Sequence, residues 1–306
     1  MTGAVRTEEQ RLSLLLRQIR WAEEKTAFYR AAFERAGVSA ASVSSFAEAA
    51  RLPFLEGAEK EGADAPFFML TLPLSGLLRM SVLHDGAGRG RIHCYTQGDV
   101  ARQVQTVTDM LTACGVNRAN TVLLVGDFTD SRTLDLQYAL DALGAAVLPC
   151  SAAETAAQFL HAAVPDTLIV WEHELPVLAA CLGEAAAHRL ITVGEHIAPQ
   201  TASCVLAERM GARHAHIFTL AQMGALIGAS CSTAGAGVHL EERLFYAEVI
   251  DAAGNSSRED GAHGELVLST IAAEAMPVLR YRTGLQVRLM RGQCGCGSAK
   301  LAIMEE

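Results

Sequence analysis

Two cysteines one residue apart, Cys294 and Cys296, share a turn with Gly295 and Gly297. Thiolates at that spacing can converge on one metal ion. The start of the chain, residues 1–10, is short and polar and holds no signal-peptide core. In a protein of the reducing cytoplasm such a cysteine pair serves metals more often than disulfides. A second chemical feature is the run Gly86-Ala87-Gly88-Arg89-Gly90-Arg91. Main-chain N–H groups of a glycine-rich turn can point at one anion, and two guanidinium groups add favourable charge. A plain solvated turn is the competing reading of the same residues. His214 and His216 alternate, so on a strand they share one face and could pair on a metal. No acids stand at a useful spacing, and packing or surface roles suit them better. His84 and His93 flank the glycine-rich run without a catalytic partner. Cys94, Cys114, Cys150, Cys181 and Cys204 sit singly in apolar or helical stretches and read as small buried hydrophobes.

The elements that must position these groups follow from periodicity. Leu12, Leu15, Leu16, Ile19, Ala22, Tyr29 and Phe33 recur at three- and four-residue steps, which predicts a helix over 8–36 ending near Gly37. A loop-rich stretch punctuated by Pro53, Gly57, Gly62, Pro66 and Pro73 comes next. Helical patterns near 99–113, 131–143, 153–163 and 174–188 then alternate with apolar runs at 121–125, 145–148, 167–171 and 190–193. Fully apolar strands between helices indicate a parallel sheet covered on both faces, an α/β fold. Beyond residue 213 the texture changes to strands at 214–218, 244–251, 265–270 and 286–290, with turns such as Ala253-Gly254-Asn255. Three stretches are therefore expected: a helical lead-in over 1–80, an α/β segment over 81–212 and a strand-rich segment over 213–306.

Bulk properties narrow the function classes. Half of the 306 residues are hydrophobic, enough for a sizeable core. The net charge of −9 argues against nucleic acid as a partner. No run approaches the roughly 18 apolar residues that a membrane span requires. The expectation is a soluble, cytoplasmic protein.

The segment Gly264-Glu265-Leu266-Val267, followed by the run from Glu274-Ala275-Met276-Pro277 to Arg280-Tyr281-Arg282-Thr283-Gly284, carries a specific resemblance. It is similar to the GELV…EAMPxxRYRTGD signature of phenylacetate-CoA ligases and coenzyme F390 synthetases, members of the adenylate-forming superfamily. Phe28-Tyr29-Arg30, Gly37, Leu52-Pro53-Phe54 and Lys60 resemble that family's opening, and Tyr95-Thr96 with Asp99 its YTxxD. Gly115, Leu143-Gly144, Val147-Leu148-Pro149 and Gly194-Glu195 match the sheet region, so the likeness runs from about residue 11 to 300. It implies the N-terminal domain of the ligase fold, a parallel sheet flanked by helices plus a strand-rich subdomain. It further implies ATP with Mg²⁺, coenzyme A and a small, often aromatic carboxylate as ligands, with adenylation followed by thioester formation. Homodimers occur among such proteins. In the family a small C-terminal domain supplies a lysine; this chain ends where the hinge would begin, so that domain is expected to be absent.

Four positions depart from what adenylation needs. The family's phosphate loop is rich in Ser and Thr; ungapped from Tyr95, it falls on Leu83, His84, Asp85, Gly86, Ala87, Gly88, Arg89 and Gly90. Gly88 and the charge of Arg89 remain, the hydroxyls are gone, and Asp85 adds a negative charge. The Glu that helps to hold Mg²⁺ becomes Gln222, in Phe218-Thr219-Leu220-Ala221-Gln222, where the Phe218 ring could stack on adenine or pack in the core. The ribose-binding Asp becomes Leu285, which accepts no hydrogen bond. The fourth departure is the C-terminal domain, which is expected to be absent. Each lost transition-state contact typically costs roughly 10²–10³ in rate. A catalytically degenerate binding or regulatory module is expected, with a small carboxylate, an acyl-CoA or a protein as partner. The alternative is an active ligase with a remodelled nucleotide site and a C-terminal domain from another chain. Nucleotide contacts, where they survive, fall on Gly88, Arg89, Gly194, Glu195, Phe218, Gln222 and Leu285. Trp171-Glu172-His173 ends a strand near the family's acyl pocket and is a weaker contact candidate.

The resemblance also completes a metal set. Relatives often carry CxCG where Cys294-Gly295-Cys296-Gly297 stands, and a Cys and a His where Cys231 and His239 stand. Cys231, His239, Cys294 and Cys296 make a Cys₃His composition, that of a closed, structural zinc site.

Overall fold

The computed structural model describes residues 7–55, 66–85, 88–181, 187–230 and 237–305. Lys60, Gly86, Ala87 and Cys231 lie outside them. The chain opens with α1 (Glu8–Lys25) and α2 (Ala27–Arg35) where one helix was expected. They part at Thr26, whose backbone turns extended and whose hydroxyl accepts the Tyr29 N–H at 3.1 Å as the cap of α2. A short α3 (Phe46–Ala49) and the strands β1 (Arg79–His84) and β2 (Gly90–Tyr95) follow. From α4 (Gln97–Ala113) the elements alternate: β3 (Thr121–Val125), α5 (Ser131–Leu143), β4 (Ala146–Cys150), α6 (Ala153–Ala163), β5 (Thr167–Trp171), α7 (Leu175–Cys181), β6 (Arg189–Gly194), α8 (Thr201–Met210) and β7 (Arg213–Leu220). Next come β8 (Ala225–Ser230), β9 (Val238–Leu240), β10 (Phe245–Ile250) and β11 (Ser256–Ser257). The last strands are β12 (His263–Thr270), β13 (Tyr281–Met290) and β14 (Ala302–Glu305). The sequence pattern did not disclose α8, β8, β9, β14 or the β1–β2 hairpin.

Contacts divide the chain into two compact units. The second contains residues 103–239 and 294–296. Residues 213–239, expected with the strand-rich segment, belong to it because β7 pairs in parallel with β6. Its sheet runs β9-β8-β7-β6-β5-β3-β4, parallel from β7 to β4. Side chains alternate across each strand, so β3 sends Val122 and Leu124 to one face and Leu123 and Val125 to the other. The first pair packs with Met110 and Leu111 of α4 and Leu136 and Leu140 of α5. The second meets Leu160 of α6, Leu178 of α7 and Leu206 of α8. Both faces are covered, as continuous apolar strands require.

The first unit contains residues 1–102, 240–293 and 297–306. Its larger sheet, β11-β10-β12-β13-β14, is antiparallel throughout. The segment 274–280, between β12 and β13, gathers the rest of this unit. Asp99 accepts the N–H groups of Glu274 at 2.8 Å and Ala275 at 3.0 Å, and the Thr96 hydroxyl donates to Glu274 Oε2 at 2.6 Å. The Tyr29 hydroxyl donates to the Pro277 carbonyl and accepts the Leu279 N–H, each at 3.0 Å. Arg280, buried, pairs its Nε with Glu248 Oε1 at 2.7 Å and caps the carbonyls of Ala50 and Leu52 with Nη1. Among the described residues no helix is long and apolar enough to cross a membrane.

Removing one partner of a buried, hydrogen-bonded ion pair leaves the other charge uncompensated. Arg280→Met is therefore expected to destabilise the protein by roughly 3–5 kcal/mol in urea denaturation. A loss below about 1 kcal/mol, the range of an exposed pair, would refute the central role given to Arg280.

Candidate functional site

Between β1 and β2, Asp85 and Arg89 pair with each other. Asp85 Oδ1 accepts the Arg89 N–H at 2.9 Å, while Oδ2 accepts Arg89 Nε at 2.8 Å and lies 2.7 Å from Nη2. Gly88 reverses the turn at φ 75°, and its N–H donates to the Asp85 carbonyl at 2.8 Å. The Asp85 side chain is 8% exposed and that of Arg89 66%. A carboxylate thus engages the main-chain N–H and guanidinium that a bound anion would use. Leu285, in β13, is half-buried and donates its N–H to the Thr283 hydroxyl at 3.2 Å. The acid beside it is Glu265, which accepts the Gly284 N–H at 3.0 Å and Arg282 Nε at 2.9 Å. These residues all belong to the first unit.

The second unit brings together Gly194, Glu195, Phe218 and Gln222. Gly194 and Phe218 are register partners on β6 and β7. Glu195 Oε1 accepts the Ala221 N–H at 3.1 Å, fixing the 3-10 turn 221–223 that carries Gln222. Phe218 is fully buried, a core side chain in this structure.

Sequence reasoning overlooked a polar cluster at the carboxyl ends of β5 and β6, where open parallel sheets take their ligands. Glu172 Oε2 lies 3.0 Å from His196 Nδ1, and Oε1 is buried 3.7 Å from His216 Nδ1. Gly194 makes this possible, since a Cβ there would come within 1.8 Å of Glu172 Oε2. His214 and His216 meet through Thr192, whose hydroxyl lies 3.0 Å from a ring nitrogen of each. The His196 carbonyl lies 2.6 Å from His216 Nε2. Burial raises the pKa of Glu172, with the hydrogen bond and charge of His196 opposing it. Burial lowers the pKa of His214, and that of His216 to about 4. Trp171 is fixed by its indole bond to Thr133 at 2.9 Å and by Arg132, 4.7 Å over its ring. The Trp171-Glu172-His173 run was a visible signal for this cluster, but nothing in the sequence linked it to His196.

His239, Cys294 and Cys296 converge in the second unit, with ligand atoms all within 4.8 Å of one another. Cys296 Sγ lies 3.4 Å from His239 Nε2. Two thiols and an imidazole are the soft and borderline donors that suit zinc. Cys231, the fourth member of the expected set, lies outside the described residues.

The fold is that of adenylate-forming CoA ligases. The superposition covers 98% of this chain and 74% of a 2-hydroxyisobutyryl-CoA ligase solved with 2-HIB-AMP and CoA, at a TM-score of 0.85 and 18% identity. By sequence the chain is similar to phenylacetate-coenzyme A ligases. It is 28% identical over 300 residues to that of Aromatoleum evansii, covering 93% of this chain and 68% of the ligase. It is 27% identical over 298 residues to that of Escherichia coli K12, covering 93% and 67%. No protein-family model matches the chain.

The histidine cluster sets a pH dependence. His216 is buried neutral, with a pKa near 4 against 6.5 when unperturbed. Between these values the unfolded state binds the proton more readily, so stability falls as pH drops from about 6.5 to 4. The loss from this group is at most roughly 3 kcal/mol. Urea midpoints for His216→Gln should vary less over that window than those of the unmodified protein; parallel curves would show that His216 is not responsible.

Proposed function

We propose that this chain is a ligase-like binding domain that does not catalyse adenylation. The observation that carries the reading is the Asp85 carboxylate seated on the Arg89 N–H and guanidinium. A triphosphate entering this turn would meet a fixed negative charge and would have to displace an ion pair. Leu285 and Gln222 support the same reading, since the resemblance implies carboxylates there for the ribose and Mg²⁺. The fitting ligands are a small carboxylate, an acyl-CoA or a partner protein. The second reading, an active CoA ligase with a remodelled nucleotide site and a partner-supplied C-terminal domain, is favoured by the Glu195–Ala221 contact that keeps the Gln222 turn in place.

Calorimetric titration with ATP and Mg²⁺, with and without phenylacetate, separates the two. We expect no micromolar affinity, and recovery of nucleotide binding in the triple variant Asp85→Ser, Gln222→Glu, Leu285→Asp. Tight ATP binding by the unmodified chain would overturn the proposal in favour of the active ligase.

We further propose that Cys231, His239, Cys294 and Cys296 hold one structural zinc ion. A closed set of four protein ligands leaves no position for substrate, so the metal would staple the fold rather than act on a ligand. Metal analysis of the purified protein should find about one zinc per chain, consistent with a single such set. The variant Cys294→Ser with Cys296→Ser should lose the metal and unfold at lower temperature. A metal-free protein of undiminished stability would rule the site out.

A further inference from the structure

Outside these sites, the first unit contains a small cavity bordered by Arg11, Arg258, Arg291, Tyr246 and Glu242. The cavity, about 10 Å³ in volume, has room for one atom-sized guest and too little for phosphate or sulfate. Among the described residues, three hydrogen-bonding groups on the residues that border it have no partner: Arg11 Nε, Arg258 Nε and the Tyr246 hydroxyl. Each is buried, and leaving such groups unsatisfied is costly.

Charge points the same way. Arg11 donates to Glu8 and, at 2.9 Å, to Glu242 Oε2. Arg258 lies 2.9 Å from Glu8 Oε2, and Arg291 reaches the same residue at 3.5 Å. Three guanidinium groups therefore face two carboxylates, and Glu8 is half-exposed. Glu242, the one carboxylate bordering the cavity, also accepts the Leu301 N–H at 3.0 Å. Burial, and the positive charge of Arg258, lower the proton affinity of Arg291. Arg258 is held in place over the stacked rings of Phe46 and Tyr246, 3.7 and 4.7 Å from their centres.

We propose that this cavity is a binding site for one small monovalent anion of halide size, chloride in the cell. A halide only accepts hydrogen bonds, which suits a site whose unsatisfied groups are donors and whose net charge is positive. It would tie α1, through Arg11, to the turns that carry Arg258 and Arg291. The site is independent of any nucleotide or acyl ligand.

Crystals grown in sodium bromide should show an anomalous peak between Arg11, Tyr246 and Arg258. Thermal unfolding at equal ionic strength should occur roughly 2–5 °C higher in chloride than in gluconate. Tyr246→Phe removes an unpaired hydroxyl and keeps the ring packing, so the variant should fold and bind bromide roughly tenfold more weakly. A water without anomalous signal at this position, equal melting in the two salts, or undiminished bromide affinity in Tyr246→Phe would each overturn the proposal.

Discussion

The segment 274–280 is the constraint on which the first unit depends. Its backbone amides need acceptors, and Asp99 supplies one carboxylate for two of them. Its carbonyl at Pro277 needs a donor, and Tyr29 supplies it while taking the Leu279 N–H on the same oxygen. Its arginine needs a counter-charge, which Glu248 provides from β10. Three distant stretches of sequence, around residues 29, 50 and 99, are thereby fixed to one strand connection. Each bond is buried or partly buried, where an unmet polar group costs about 1–3 kcal/mol.

The residues that carried the resemblance thereby have a duty inside the fold. Thr96, Asp99 and Glu274, which carried the resemblance, bind one another, and Arg280 binds Glu248 and the Ala50 and Leu52 carbonyls of its own unit. These contacts tie the first unit together at its centre. Leu285 contributes its main-chain N–H to a Thr283 contact that any residue except proline could make. Asp85 bonds within its own turn, to Arg89.

How far sequence reasoning reached follows from the range of the interactions concerned. The alternating helices and strands of the second unit were legible because their signal is local, and α5 and α6 begin and end where periodicity placed them. The break at Thr26 was not, because a capping hydroxyl overrode an apolar stripe that continues across it. Strands β8, β9 and β14 are short and gave no periodic signal. The two cysteines announced themselves by spacing, whereas His239 was reached only through the resemblance. The Glu172–His196 contact was beyond reach, since it joins the ends of two strands and depends on the missing side chain of Gly194.

Arg280 has a backbone φ of 49°, in the left-handed region that glycine tolerates best. Glycine there would relax the main chain and abandon Glu248; lysine would keep a charge for Glu248 but also the distortion, and would lose the fork that reaches Ala50 and Leu52. No single replacement meets both demands, so this codon is an evolutionary trap. The arginine of the shared motif is thus held by the architecture of its own unit, between a strained main chain and a buried counter-charge.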